Sequence, residues 1–493
     1  MFTDPKERTV TVTEDNSKLT PELLKLAGVI MLGAIMMQLD VTMMSIATNT
    51  LINDFHTTLS TFQWVSTGYL LSMASVIPIA GWALERYGAR TMWMFTLVVF
   101  LLGSVLCGMA WSIGSLIVFR VIQGIGAGMI LPLAQSILAI AAGPERLGRV
   151  MATIGLPALL GPVLGPILGG LIVTNLSWRW IFYVNLPICA LALLLAPRFL
   201  PRIAPGAART PLDVLGLVLL APAFAAMIYG FAEAGRNGSF SDVAVIGPVV
   251  GGLALLVLFT LHSIRRGARA LIDVRLFRVR SFAAAAGLIV VASGVMFGAL
   301  GLLPLYYQQV RAEDALHTGL LLIPLGLGMG SSLVVAGRLA DRFPAGPIAL
   351  VGLVLGGLGG LAYTALGAGT SYVLIGLAEV LSGIGIGAVL VPVMSAALRG
   401  LSPEAIPRAS VSVRIFQQLG ASLGSAVLFV ALQRQITDRV SATGPTPDAL
   451  ASSFGSTFWW IVAFAAVAVV PALFLPFRRR RAVQPSTEEL TTV

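Results

Sequence analysis

Three ionisable side chains sit well inside long apolar runs: Asp40, Arg120 and Glu379. At the 1.5 Å rise per residue of a helix, Asp40 falls in the far third of the first run, while Arg120 and Glu379 each lie about two turns into runs that travel the other way. All three are then expected in one layer, on the order of 10 Å below one membrane surface. An isolated charge in hydrocarbon costs several kcal/mol, so embedded ionisable groups either pair or do chemistry. An Asp and an Arg at matched depth can pair, and a proton on Asp40 would cancel its charge and loosen its hold on Arg120. A helix contact then depends on which side supplies protons; the alternative is a permanent internal salt bridge. Glu379 has no basic residue at its depth. It can take up a proton, attract a cationic lipophilic compound, or stay neutral within hydrogen bonds. Gln38, Thr42, Gln123, Gln135, Gln308 and Gln309 are candidates to line the same cavity, with interhelical hydrogen bonds as their other reading.

The elements that must hold these groups follow from composition. Of 493 residues, 57% are hydrophobic and 11% charged, too apolar for a soluble chain of this length. Runs able to cross a bilayer, at about 20 residues each, occur at roughly 14 positions. In the first half they cover 25–50, 62–84, 91–111, 113–141, 148–174 and 180–200; a pair at 214–232 and 243–264 follows; the second half supplies 282–309, 319–339, 347–367, 372–398, 409–432 and 458–477. The expected class is an all-α integral membrane protein, with a polar tail at 1–24, a six-helix bundle at 25–200, a linker at 201–212 and an inserted hairpin at 213–265. A basic linker at 266–280, a second six-helix bundle at 281–477 and a tail at 478–493 complete it. The hairpin carries Glu233 as its one embedded charge, near the outer turn, and is expected to pack outside the working core.

Basic residues fall in alternate loops, which sets the topology by the excess of Arg and Lys on the cytoplasmic side. With the N-terminus inside, inner loops hold Arg86 and Arg90, Arg146 and Arg149, Arg198 to Arg209, Arg265 to Arg280, Arg338 and Arg342, Arg399 and Arg408, and Arg478 to Arg481. Outer loops hold few, among them Arg236, Arg311, Arg434 and Arg439. Both termini are therefore expected in the cytoplasm. The N-terminal stretch lacks the short apolar core of a cleavable signal, so the first spanning run is expected to act as its own insertion signal. The net charge of +10 is spread over these loops rather than gathered on one domain, which argues against a nucleic-acid partner.

The chain repeats itself. Phe119-Arg120-Val121-Ile122-Gln123-Gly124-Ile125-Gly126-Ala127-Gly128 has a counterpart in Ala378-Glu379-Val380-Leu381-Ser382-Gly383-Ile384-Gly385-Ile386-Gly387, and Gly81-Trp82-Ala83-Leu84-Glu85-Arg86 has one in Gly337-Arg338-Leu339-Ala340-Asp341-Arg342. Two halves on one plan, with ionisable groups in the apolar phase, are what alternating access requires. Gly81, Glu85, Arg86, Gly88 and Arg90, with Asp341 and Arg342 in the second half, form a candidate gate whose charges break and re-form as the halves rock. Glycines at 81 and 88 permit the tight turn. Gly155, Gly161-Pro162, Gly165-Pro166 and Gly169-Gly170 put small residues on one helix face, so that a partner can approach closely while the prolines promote bending. Gly124, Gly126 and Gly128 follow no strand, which excludes a dinucleotide fingerprint.

Other chemistries are excluded by what is missing. Lys6, Lys18 and Lys25 are the only lysines, so no phosphate-binding loop ending in Gly-Lys-Ser/Thr exists and P-loop ATP hydrolysis is ruled out. Cys107 and Cys189 lie in apolar runs and read as packing residues, not as a disulfide framework or metal site. His56, His262 and His317 sit in or near loops, with no zinc-binding pair in a span. Arg414, about two turns from the inner end of its run, is expected to snorkel to the cytoplasm.

On these motifs, from about Leu26 to Phe477, the chain resembles the 14-helix drug:proton antiporters of the major facilitator superfamily. Gly81 to Arg90 is similar to that superfamily's signature loop, Arg120 to Gly128 to its helix-four motif, and Gly155 to Gly170 to its helix-five antiporter motif. Leu39-Asp40-Val41-Thr42 and Trp178-Arg179-Trp180-Ile181-Phe182-Tyr183-Val184-Asn185-Leu186-Pro187 resemble stretches typical of the subgroup. The resemblance implies that Asp40 and Arg120 take part in proton coupling and that Glu85, Arg86 and Arg90 gate the inner face. Glu85 stands where the family has aspartate, and Ala47-Thr48-Asn49 replaces its Ala-Leu-Pro. The function expected is export of small amphipathic or cationic lipophilic compounds in exchange for protons. It requires no cofactor beyond the proton gradient, and the protein is read as a monomer among membrane lipids of the cytoplasmic membrane. Rival readings are a proton-independent facilitator, a lipid or metabolite exporter on the same scaffold, a receptor or scaffold that has lost transport, and an intramembrane enzyme.

Overall fold

A computed structural model describes residues 20–201, 211–444 and 446–477. The tails and most of the linker expected at 201–212 lie outside them. Thr20 caps α1 (Pro21–Ile46) by accepting from Leu23 N, and the chain continues as α2 (Thr48–Asp54). Thr58 caps α3 (Leu59–Val76) in the same way, and Pro78 then breaks the path into α4 (Ile79–Tyr87), bent by 54°. Gly88 stands between α4 and α5 (Ala89–Gly108) at φ 80°, a conformation that a side chain resists. A capping box at Ser112 and Ser115 starts α6 (Ile113–Asn175). Its 63 residues extend about 95 Å, far beyond a bilayer core of roughly 30 Å. Gly143, at φ 67° and ψ 178°, divides it into two legs, which are the two separate runs expected at 113–141 and 148–174. Two short helices, α7 (Trp180–Tyr183) and α8 (Asn185–Phe199), complete the first bundle.

The inserted hairpin is α9 (Val214–Asn237) and α10 (Val243–Arg266), with left-handed Gly238 closing α9. Asp213 anchors its base. Its carboxylate accepts from Gly216 N at 3.1 Å, Leu271 N at 3.1 Å and His262 Nε2 at 2.9 Å, with Arg266 at 3.4 Å. Burial alone would raise this carboxyl; the bonds from His262, Gly216 and Leu271 outweigh it and hold it below the usual range. The second bundle comprises α11 (Arg280–Gln309), the pair α12 (Ala315–Leu321) and α13 (Ile323–Arg342), α14 (Ala345–Tyr363), α15 (Tyr372–Leu398), α16 (Ile406–Thr443) and α17 (Pro447–Leu473).

Among the described residues twelve helical segments are long and apolar enough to cross a membrane, α6 counted once, and the bent α3–α4 pair makes a thirteenth. The protein is an all-α, multi-pass membrane protein of two six-helix bundles with an inserted hairpin. The hairpin lies outside both bundles yet touches each. Arg236 Nη1 donates to Gln63 Oε1 at 2.5 Å and Trp64 stacks on Tyr229, while Met227, Phe231 and Ala234 pack on Ala426 and Val430 of α16.

The sequence repeat is written into the packing. A β-carbon on Gly124 would lie 2.5 Å from the Tyr69 carbonyl oxygen of α3, and one on Gly126 would meet the Phe100 backbone of α5 at 2.5 Å. In the second bundle Gly383 meets the Leu325 carbonyl of α13 at 2.2 Å, and Gly385 meets Gly356 of α14 at 2.3 Å. Alternate glycines thus seat the fourth helix of each bundle between its second and third. A bulky group there forces backbones apart, at a typical cost of about 1–3 kcal/mol. Gly124→Ala is therefore expected to lower the thermal unfolding midpoint of the purified protein by several degrees, whereas Gly114→Ala, exposed and with only Ser112 Oγ at 4.0 Å from its β-carbon, does not lower it.

Candidate functional site

Asp40 and Arg120 form a fully buried ion pair, with Arg120 Nη1 2.6 Å from Asp40 Oδ2. The other carboxylate oxygen accepts from Gln123 Nε2 at 2.9 Å and from Asn185 Nδ2 at 3.2 Å. Arg120 Nη1 also donates to Gln123 Oε1 at 2.8 Å, and the guanidinium carbon lies over the Tyr69 ring, 4.0 Å from its centroid. Asn185 is fixed in turn by donating to Ser104 Oγ at 3.0 Å, whose hydroxyl donates to the Phe182 carbonyl at 2.8 Å. Two elements, α6 and α8, bond the carboxylate that α1 presents, while α3 faces its Arg120 partner and α5 fixes Asn185. Three buried polar atoms here still lack a partner: Arg120 Nε, Tyr69 Oη and Asn185 Oδ1. The arrangement can hold an ionised aspartate in an apolar interior, and a proton on Asp40 would leave a cation facing amides and an aromatic ring.

Sequence reading reached Asp40 and Arg120 and left Gln123 between cavity lining and an interhelical hydrogen bond; the structure shows the second, a bond from α6 to Asp40 of α1. Asn185, Ser104 and Tyr69 were missed. An amide at the head of the otherwise apolar α8 was the available signal for Asn185.

Asp40 shares a turn of α1 with a second contact. A β-carbon on Gly161 would sit 3.0 Å from Gln38 Cβ, one on Gly165 2.5 Å from Thr42 Cβ, and one on Gly169 3.2 Å from Met43 Cα. The small-residue face of α6 therefore rides on α1 within the first bundle, while Gly155 faces Leu333 of α13. Gly170 faces open space and takes no part. Of Pro162 and Pro166 only the helical backbone is described. Thr42 Oγ1 donates back to the Gln38 carbonyl at 2.9 Å.

Glu379 lies in the second bundle, fully buried among Tyr306, Tyr307, Tyr363 and Phe458. Tyr307 Oη donates to Glu379 Oε1 at 2.8 Å, and Oε2 has no partner. No hydrogen bond or ion pair among the described residues joins Glu379 to Asp40 or Arg120: the pair stands in the first bundle and the acid by itself in the second. Tyr307 was not foreseen. Gln135 is buried with its Oε1 unpartnered. Gln308 and Gln309 are exposed, because α11 runs out of apolar surface at its last turn and they are its final residues. Arg414 does not snorkel: it is buried, and its Nη1 donates to Gln417 Oε1 at 2.9 Å on the same helix face.

At the far ends of α4 and α13 two locks join the bundles. Arg408 grips Glu85 with two bonds of 2.9 and 2.8 Å, and Asp341 accepts from Arg149 Nε and Gly148 N, each at 2.7 Å. Gly81 packs against the Pro407 carbonyl beside the first lock and Gly337 against the Gly148 carbonyl beside the second. Both acids sit four residues after their glycine, so the repeat builds one lock twice. The gate partners Arg408 and Arg149 come from the opposite bundle and were not identified as such in the sequence. Arg86 and Arg90 do not join the locks. Arg90 Nη2 donates to the Leu200 carbonyl of its own bundle at 2.9 Å, Arg86 has no ion-pair partner among the described residues, and Arg342 is exposed at the end of α13. Among the described residues no group of His, Cys, Asp and Glu is arranged to hold a metal, and the two cysteines are buried and free.

Residues 30–425 match the family profile described as Major Facilitator Superfamily. Among curated proteins the chain is similar to a multidrug resistance protein B homolog of Mycobacterium tuberculosis, at 42% identity over 420 residues covering 85% of this chain and 78% of the relative. It is also similar to the lincomycin resistance protein LmrB of Listeria innocua, at 29% identity over 441 residues covering 88% and 93%. Among solved structures, the human organic anion transporter MFSD10 aligns with a TM-score of 0.62 at 18% identity, over 91% of this chain and 100% of that one. A double tryptophan mutant of XylE aligns at 0.64 and 15%, over 93% and 97%. These last two likenesses concern the fold.

Proposed function

Because the chain belongs to the Major Facilitator Superfamily, we propose that it is a secondary active exporter that moves small amphipathic or cationic lipophilic compounds out of the cell in exchange for protons. The resistance relatives support the substrate class. The observation that carries the coupling is the buried Asp40–Arg120 pair on a turn of α1 that also bears the second leg of α6. That leg begins at Gly148 and Arg149, the residues that hold Asp341 at the gate, about 25 Å along the helix from Gly165. Protonation of Asp40 frees Arg120 and lets this turn of α1 shift against the glycines of α6; the rigid leg carries the shift to the lock. One proton moving inward in exchange for an uncharged compound releases about 2.3 kcal/mol per 100 mV, whereas exchange for a monovalent cation moves no net charge and is driven by the pH gradient. The basic loops support an orientation with both termini and both locks on the cytoplasmic face of the inner membrane. The protein works as a monomer without a cofactor, since each bundle brings its own half of both locks.

Glu379, hydrogen-bonded to Tyr307 with its second oxygen free, is the site of cation recognition in the second bundle. The test is efflux of cationic, neutral and anionic dyes from proteoliposomes with an imposed pH gradient. Efflux of cationic dyes is expected to stop when the gradient is collapsed, and Glu379→Gln is expected to reduce cation efflux at least about tenfold while sparing neutral dyes. Efflux indifferent to the gradient would overturn the coupling; equal loss for every dye would move Glu379 from recognition to coupling.

A further inference from the structure

A cavity of about 530 Å³ lies between the hairpin and the second bundle, apart from every group used above. Leu256 and Phe259 of α10, Leu220 of α9, and Ile415 and Leu419 of α16 form its apolar walls. Its size falls in the range of about 300–1,000 Å³ typical of sites for small ligands. Beside it α10 shows Leu253, Val257 and Ile264 to the outside, each about half exposed, so the cavity opens toward acyl chains rather than toward bulk water. Two exposed arginines, Arg275 and Arg278, stand on the 3₁₀ turn Val274–Arg278 at its rim, and neither has an ion-pair partner among the described residues. The groove is thus greasy inside and doubly cationic at the edge, complementary to a molecule with an apolar chain and an anionic head.

We propose that this cavity is a binding site for an anionic phospholipid of the leaflet facing the α10–α11 connection, one acyl chain lying along Leu256, Phe259 and Leu419 and the phosphate held by Arg275 and Arg278. Guanidinium forks match phosphate oxygens in a bidentate fashion. A zwitterionic lipid offers the same chain but no net charge, so the arginines discriminate between the two. The site is independent of whether protons drive the transporter.

Delipidated protein in detergent, titrated with phosphatidylglycerol or phosphatidylcholine of identical chains and read by native mass spectrometry, tests it. Phosphatidylglycerol is expected to bind on the order of tenfold more tightly. Arg275→Gln with Arg278→Gln removes that preference, weakening phosphatidylglycerol far more than phosphatidylcholine, whose phosphate is already offset by its own choline cation; Leu256→Trp, which fills the cavity, weakens both lipids. Glycerol 3-phosphate, a head without chains, does not compete. Equal binding of the two lipids, or a preference that survives the double arginine variant, overturns the proposal. Both arginines are exposed, so their variant folds and keeps the test decisive even where Leu256→Trp does not.

Discussion

Asp40→Asn is expected to reduce proton-driven efflux to background while leaving the bundles assembled. Asparagine keeps the shape and the acceptor that faces Arg120, but it can neither carry charge nor take up a proton. Removing one member of a buried pair costs about 3–5 kcal/mol when the other charge is stranded, and the retained acceptor and the Tyr69 ring put this variant at the lower end. The double variant Asp40→Asn with Arg120→Gln separates two explanations. Both positions are then neutral, so stability should recover toward wild type, read as the thermal unfolding midpoint. If the pair were only a structural bridge, transport would recover with it. Under proton coupling the double variant is stable and inactive, and restored efflux would overturn the mechanism.

The second large effect concerns the locks. A β-carbon on Gly337 would stand 2.9 Å from Ala152 Cβ, and a disulfide needs about 3.8 Å, a gap that slight separation of α6 and α13 supplies. Gly337→Cys with Ala152→Cys, oxidised in the membrane, should tie the bundles shut at the gate end and arrest efflux, and reductant should restore it. Free Cys107 and Cys189 are buried, so the native thiols do not confuse the result. Undiminished transport by fully oxidised protein would mean that this contact does not open during the cycle.

Much of this architecture was legible in the sequence because it rests on local and periodic signals. The repeat, the apolar runs and the glycine ladders are short-range patterns, and depth along a helix follows from the rise per residue, which put Asp40 and Arg120 level. What was not legible depends on rotation about the helix axis and on partners far away in the chain. Arg414 was expected to snorkel outward, but its side chain turns inward to Gln417. Arg408 and Arg149 are separated from Glu85 and Asp341 by 323 and 192 positions, and nothing near either acid names its partner. Gln308 and Gln309 were misplaced because hydropathy fades gradually at a span's end. Gln123 and Asn185 converge on Asp40 only once three helices are packed.

The ion pairs of this molecule differ in how much water reaches them. The side chains of Arg408 and Glu85 are 16% and 20% accessible and that of Arg149 is 20%, whereas those of Arg120 and Asp40 are 2% and 0%. Dissolved ions screen charges that touch solvent, with a reach of about 8 Å at physiological ionic strength, and leave buried pairs nearly untouched. Electrolyte is therefore expected to weaken the Arg408–Glu85 clasp between the bundles while leaving the Asp40–Arg120 pair intact, so the cohesion of the two bundles and the state of the buried pair can be adjusted separately.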